Sequence, residues 1–397
     1  MMTGHTSRRT LAGMMSGAFA CALLTIVAAR VDATPLQPTR DDEVIEVLPA
    51  VKGGRAEERR LRQQLAQAPR DPALALAVAR RHLDQAHELG DPRFAGMALA
   101  ALGPWTDDGS TPDDLLLMRA TLQQYLHQFD AAGVSLQHLL ARPGVPRPQA
   151  WLTLATVRRV QGRYAESDAA CAQVARAAAA IYASACAAEN AGLRGDVDRA
   201  RRSFETLLAD PRASDATTRA WLATSLAELE QRAGRERAAD AAYRRALELA
   251  PDAYTRLAYA DFLIERGRAA QALPLLAGEP RSDAVLLRLA IAGTRAGAAS
   301  AASDVAEMRA RISAANERPD AQLLHGREQA MFALAIDRDA ARALTLARGN
   351  VTQQREALDV LVMAQAARAS ADPTALQEAR KVVNDIGLRD RRVEELL

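Results

Sequence analysis

From about residue 55 to the C-terminus, apolar residues recur at helical spacing in segments that Gly and Pro interrupt at short intervals. No long stretch alternates apolar and polar positions as a sheet would require; the nearest is Val44-Ile45-Glu46-Val47-Leu48. Asp71-Pro72 and Asp91-Pro92 predict helix starts, because proline in a first turn lacks only an N–H that has no helical partner there. Gly103 to Pro112 and Pro143 to Pro148 predict longer loops. The punctuation is itself periodic. Gly162, Gly195, Gly234, Gly267 and Gly297 each carry Ala seven residues upstream (Ala155, Ala188, Ala227, Ala260, Ala290) and a small residue five downstream (Ser167, Ala200, Ala239, Ala272, Ala302), at spacings of 33, 39, 33 and 30 residues. A recurrence of this kind predicts helix pairs that bury their apolar faces only against neighbouring pairs. The glycine ends one helix, and a small side chain on each helix lets the two cross closely. The fold class expected is all-α, an α-solenoid over residues 55–397.

The unit from Ala223 onward is the fullest copy: Leu226-Ala227, Gly234, Ala239, Tyr243, Ala246-Leu247, Leu249 and Pro251. These residues resemble the tetratricopeptide repeat (TPR) family, whose 34-residue helix-turn-helix has small residues, an aromatic and a closing proline at such positions. Trp151, Leu154, Ala155, Gly162 and Tyr164 keep part of the pattern, as do Ala188, Gly195, Ala200 and Phe204. Weaker copies run through Gly90 with Ala95, through Ala120 with Phe129 and Ala132, and through Ala330 with Ala340. The resemblance implies a right-handed superhelix whose concave face holds a protein or peptide. An α-solenoid of another helix-pair family is the structural alternative.

The first 33 residues differ from the rest. Arg8 and Arg9 precede an apolar run from about Leu11 to Ala29, and Val31-Asp32-Ala33 offers small residues for a signal peptidase. Residues 1–33 therefore read as a signal peptide, with an uncleaved anchor as the alternative, and the rest of the chain is expected to be periplasmic or secreted. Thr34 to Gly54, with Pro35, Pro38, Pro49 and Gly53-Gly54, reads as an extended leader.

Charge narrows the partner. The chain holds 51 Lys and Arg against 49 Asp and Glu; Arg8, Arg9, Arg30 and Asp32 lie in the first 33 residues, so the segment after them is formally neutral. A nucleic-acid array would need a basic stripe to release counterions, so nucleic acid is not expected. No phosphate-cradling glycine loop, His-Glu-x-x-His motif or paired-cysteine metal spacing occurs. No catalytic, cofactor-binding or metal-ligating residue is therefore assigned, and no enzyme is expected. His82, His87, His127 and His138 read as solvated or capping residues.

In the family's register the first helix of each unit lines the concave groove. That register places Tyr182, Trp221 and Tyr254 in one row and Glu189, Glu228 and Asp261 in another, so an aromatic row and an acidic row face a partner, expected to be a basic or neutral peptide segment. The functional expectation is an exported scaffold for an envelope protein or peptide. The alternative is an accessory protein of envelope polysaccharide or cell-wall metabolism that binds glycan or positions an enzyme. Finally, Cys171 and Cys186 each fall about seven residues from an expected helix turn near Ala178 or Ala179, which puts them at similar height in an antiparallel pair and makes a disulfide geometrically possible. The other reading makes both small buried residues in tight helix contacts.

Overall fold

The computed structural model describes residues 55–397, except 106–108, 178 and 318–320. The expected signal peptide, the leader over residues 34–54 and the Val44–Leu48 stretch lie outside the described residues. The rest is helical. Helix α1 (Arg55–Gln67) precedes α2 (Pro72–Leu89) with α3 (Pro92–Ala101), α4 (Asp113–Tyr125) with α5 (Phe129–Ala141), and α6 (Pro148–Val160) with α7 (Tyr164–Arg176). Then come α8 (Ala180–Leu193) with α9 (Val197–Ala209), α10 (Ala216–Arg232) with α11 (Glu236–Leu249), and α12 (Ala253–Glu265) with α13 (Ala269–Leu276). The chain continues through α14 (Asp283–Ala296) with α15 (Ala301–Asn316), α16 (Ala321–Phe332) with α17 (Ala340–Asn350), α18 (Ala357–Ala369) with α19 (Pro373–Ile386), and the short α20 (Arg391–Glu394). Each pair packs within itself and against the next, and the first helix of each pair also packs on the first helix of the next. No strand occurs among the described residues, and the fold is an all-α solenoid.

The small-residue crossings explain the packing. Ala227 with Ala239, Ala260 with Ala272, and Ala155 with Ser167 are each fully buried. The Gly297 unit departs from the expected pairing, because α15 begins at Ala301 and Ala302 is turned outward. Its turn is longer than those at Gly162, Gly195, Gly234 and Gly267, and the close approach passes to Gly293, where a Cβ would lie 3.3 Å from that of Ala301.

One backbone feature unites the nine pairs. A residue in the left-handed region sits at each turn: glycine at Gly90, Gly162, Gly195, Gly234, Gly267 and Gly297, but His127 (φ 57°), Arg338 (φ 54°) and Ala371 (φ 52°) in the pairs beginning at α4, α16 and α18. The weak copies therefore keep the turn and lose only the glycine. A side chain in this region costs roughly 1–2 kcal/mol, part of which glycine gives back as chain entropy. Ala371→Gly should accordingly raise stability by roughly 0.5–1 kcal/mol, read as a shift in urea midpoint at unchanged slope.

His82 departs from the expectation of a solvated side chain. It is 4% exposed and its Nδ1 lies 3.0 Å from Gln85 Oε1, because it falls on the helix face that carries Ala75, Val78, Ala79 and Ala86 into the core.

Candidate functional site in the solenoid interior

The first helices α6, α8, α10, α12, α14, α16 and α18 line a cavity of about 360 Å³. The three aromatics of the expected groove lie near the N-terminal ends of α8, α10 and α12. Tyr182 and Tyr254 are 40% and 63% exposed, although large apolar faces are normally covered. Tyr182 stacks on the half-buried Trp221 with ring centroids 5.9 Å apart, and its hydroxyl lies 3.4 Å from Thr218 Oγ1. The structure thus brings Tyr182 and Trp221 together, while Tyr254 turns to the acidic row and donates to Glu228 at 2.6 Å.

The acidic row is more engaged than unpaired carboxylates would be. Glu189 is in an ion pair with Arg159 and accepts from Ser225 Oγ at 2.9 Å. Asp261 takes two bonds from Arg288, at 3.0 and 2.7 Å. Glu228 alone of the three lacks an ion pair among the described residues. It stands half-exposed to the cavity but is surrounded by protein, and the loss of bulk water raises its pKa against the lowering effects of Arg232 and the Tyr254 hydroxyl.

At the other end of these helices the chain returns upon itself. The C-terminal carbonyls of α6 and α8, which have no partner within their helices, accept from elsewhere: Val160 from the Arg355 N–H at 2.7 Å, and Leu193 from the Arg389 N–H at 2.8 Å. A Cβ on Gly162 would come within 2.6 Å of Ile386 Cγ2, so that turn has no room for a side chain on top of its left-handed geometry, whereas one on Gly234 would come within 2.6 Å of Cδ of the exposed, flexible Arg391, which would have to shift. Arg392 then bonds both carboxylate oxygens of Glu265, at 3.0 and 3.1 Å. Tyr164 and Leu193 share one apolar cluster with Val360, Leu361, Ile386, Leu388 and Val393. The segment from α18 to α20 therefore covers the C-terminal ends of the first helices. The aromatic row is left at their opposite ends.

Arg327 organises the wall that α16 and α18 contribute. Its guanidinium donates to Asp359 at 2.6 and 3.1 Å and to Glu356 at 2.5 Å, while Asn350 donates to Asp359 at 2.7 Å and Gln354 to Glu356 at 3.0 Å. Burial raises both carboxyl pKa values. It prevails at Asp359, pushed up to about 6, whereas at Glu356 the Arg327 charge outweighs it and keeps the group below its ordinary value. An acid with a raised folded pKa stabilises the fold while protonated, and that contribution fades as pH rises from about 4 through about 6. Asp359→Asn should therefore gain stability relative to the parent between pH 4.5 and 7, whatever constant offset the lost ion pair adds; denaturation midpoints at several pH values give the slope.

Among the described residues no group of three or more His, Cys, Asp or Glu could hold a metal, and no helix is long and apolar enough to cross a membrane. Cys171 and Cys186 are joined by a disulfide with a Cα–Cα distance of 5.8 Å, tying α7 to α8.

Sequence reasoning placed Tyr164 in the repeat pattern but not on the cavity wall, and it did not single out Arg232 and Glu328 of that wall, nor the closing residues Arg389, Arg391 and Arg392. Arg232 was detectable, since it stands four residues after Glu228 on one helix face. The closing residues were not, because their partners lie more than 100 residues away and in no periodic relation.

No protein-family profile matches the sequence, and no curated protein does. Solved structures similar to this chain are repeat proteins. A tetratricopeptide repeat protein from Parabacteroides merdae aligns over 68% of this chain and 98% of its own, with 16% identity and a TM-score of 0.36. Yeast Tom70 aligns over 85% and 82%, with 13% identity and a TM-score of 0.25, and the TPR domain of P58(IPK) over 83% and 93%, with 14% identity and a TM-score of 0.20. The internal geometry carries the fold: among the described residues nine stacked helix pairs, each turning through a left-handed residue, form an α-solenoid whose helix pairs resemble those of TPR proteins.

Proposed function

We propose that this chain is an exported scaffold that binds a protein or peptide through the aromatic ends of its first helices, in the periplasm or outside the cell. The observation that carries the reading is the pair of exposed tyrosines, Tyr182 and Tyr254, on the units either side of the one that carries Trp221, on which Tyr182 stacks. Aromatic groups of this kind supply large contact area at small conformational cost and dominate interface energetics. The disulfide between α7 and α8 agrees with an oxidising compartment, as does the apolar N-terminal run.

Photo-crosslinking from position 182 in cells, followed by mass spectrometry, identifies the partner. Trp221→Ala should then weaken binding by about 2 kcal/mol, or roughly 30-fold, with the fold retained. Binding that stays within a factor of two in a folded Trp221→Ala protein would remove the aromatic row as the docking surface.

A further inference from the structure

The cavity holds a set of groups that the scaffold reading does not use. Four arginines of its wall are each locked to a carboxylate of the same wall, in the pairs formed by Arg159, Arg288, Arg327 and Arg392. Three charged groups of the wall remain without an ion pair among the described residues: Arg232, Glu228 and Glu328. Glu228 and Arg232 are four apart on α10, the spacing and order that favour pairing along a helix, yet they do not pair.

A second, independent observation concerns Tyr164. It is 3% exposed and lines the cavity, and its hydroxyl is buried with no hydrogen-bond partner. The Arg232 Nε is likewise buried and unpartnered. Among the charges around the Tyr164 hydroxyl, Arg232 acts on it most strongly, and it also acts most strongly on Glu228. All three side chains line the same cavity. A buried hydroxyl and a buried guanidinium Nε that find no acceptor are costly unless something accepts from them.

We infer that the cavity binds a small basic amino acid or dipeptide, whose carboxylate accepts from Arg232 and Tyr164 and whose two ammonium groups meet Glu228 and Glu328. One cation and two anions in the wall call for the inverse in the ligand. A cavity of about 360 Å³ admits a molecule of this size but no folded segment. The Tyr254 ring and Leu257 offer apolar walls for an aliphatic stem. This inference goes beyond the scaffold reading, since the ligand is a free small molecule and needs no protein on the aromatic end. Trp221 does not line the cavity, so Trp221→Ala should leave ligand binding unchanged, and the two readings can fail separately.

Calorimetric titration of the full chain with L-lysine and with L-alanyl-L-lysine tests it, and the tighter of the two identifies the source. Cadaverine, which keeps both ammonium groups and lacks the carboxylate, is the control. Saturable binding of at least one of the first two, with cadaverine about tenfold weaker or worse, is the expected result. Arg232→Met should weaken the preferred ligand at least tenfold and erase its advantage over cadaverine. Tyr164→Phe should weaken it several-fold, and since it removes a single oxygen it keeps the test open if Arg232→Met does not fold. No saturable binding of either ligand up to about 10 mM would overturn the inference, as would cadaverine binding equal to that of L-lysine.

Discussion

Replacing Tyr243 with alanine should destabilise the protein by about 4 kcal/mol, the range for removing a large aromatic from a packed core. Tyr243 is fully buried on α11, stacks on Tyr259 with centroids 5.2 Å apart and meets Phe262 at a tilt with centroids 5.8 Å apart. Its hydroxyl donates to Gln231 at 2.7 Å, Gln231 donates to Glu265 at 2.9 Å, and Glu265 holds Arg392. Truncation therefore opens a cavity and also removes the donor to Gln231 on the path to the C-terminal segment. Tyr243→Phe separates the two effects and should cost about 1–2 kcal/mol by leaving Gln231 Oε1 without its donor. Urea denaturation of both variants gives the comparison. A cost below about 1 kcal/mol for the alanine variant would mean that this central cluster is not what holds units α10 to α13 together.

Loss of the Cys171–Cys186 bridge should cost about 3 kcal/mol, the entropy expected for closing a loop of 15 residues. Both cysteines are nearly inaccessible, at 3% and 1% exposure, so the native bond should resist mild reductant and yield only when α7 and α8 part. The double variant Cys171→Ala with Cys186→Ala should match the reduced parent in stability. Thiol labelling decides whether the bond forms in the organism: a chain purified without reductant, beginning after residue 33, should show no reactive thiol when denatured. Two reactive thiols would place the protein in a reducing compartment and take away one support for export.

The repeat was legible in the sequence wherever glycine fills the left-handed turn, because few other residues adopt that geometry cheaply. It faded where His127, Arg338 and Ala371 adopt it instead, since their type does not announce the conformation. The register brought Glu189, Glu228 and Asp261 to one inner face, but did not foretell that Tyr254 turns to Glu228 while Tyr182 and Trp221 stand off the cavity. The electrostatic state of the acidic row was not legible either, for Glu189 and Asp261 find arginines one repeat away, and the register alone does not say which neighbouring side chains reach them. His82 shows the same limit in a single helix, where a polar residue on an apolar stripe found a local partner in Gln85.

The return of the C-terminal segment onto Val160, Leu193 and Glu265 has a consequence for how the protein is made and how it yields to force. An open array can fold unit by unit as it leaves the ribosome or an export channel, because each unit needs only its predecessor. Here Tyr164 and Leu193 wait for residues about 200 positions later, so a strip of apolar surface stays wet until the last helix arrives. Stalled or truncated chains should accordingly be the species that chaperones hold and proteases clear. In a molecule stretched between its two ends, the first resistance should come from this distant contact and not from the peeling of a terminal unit.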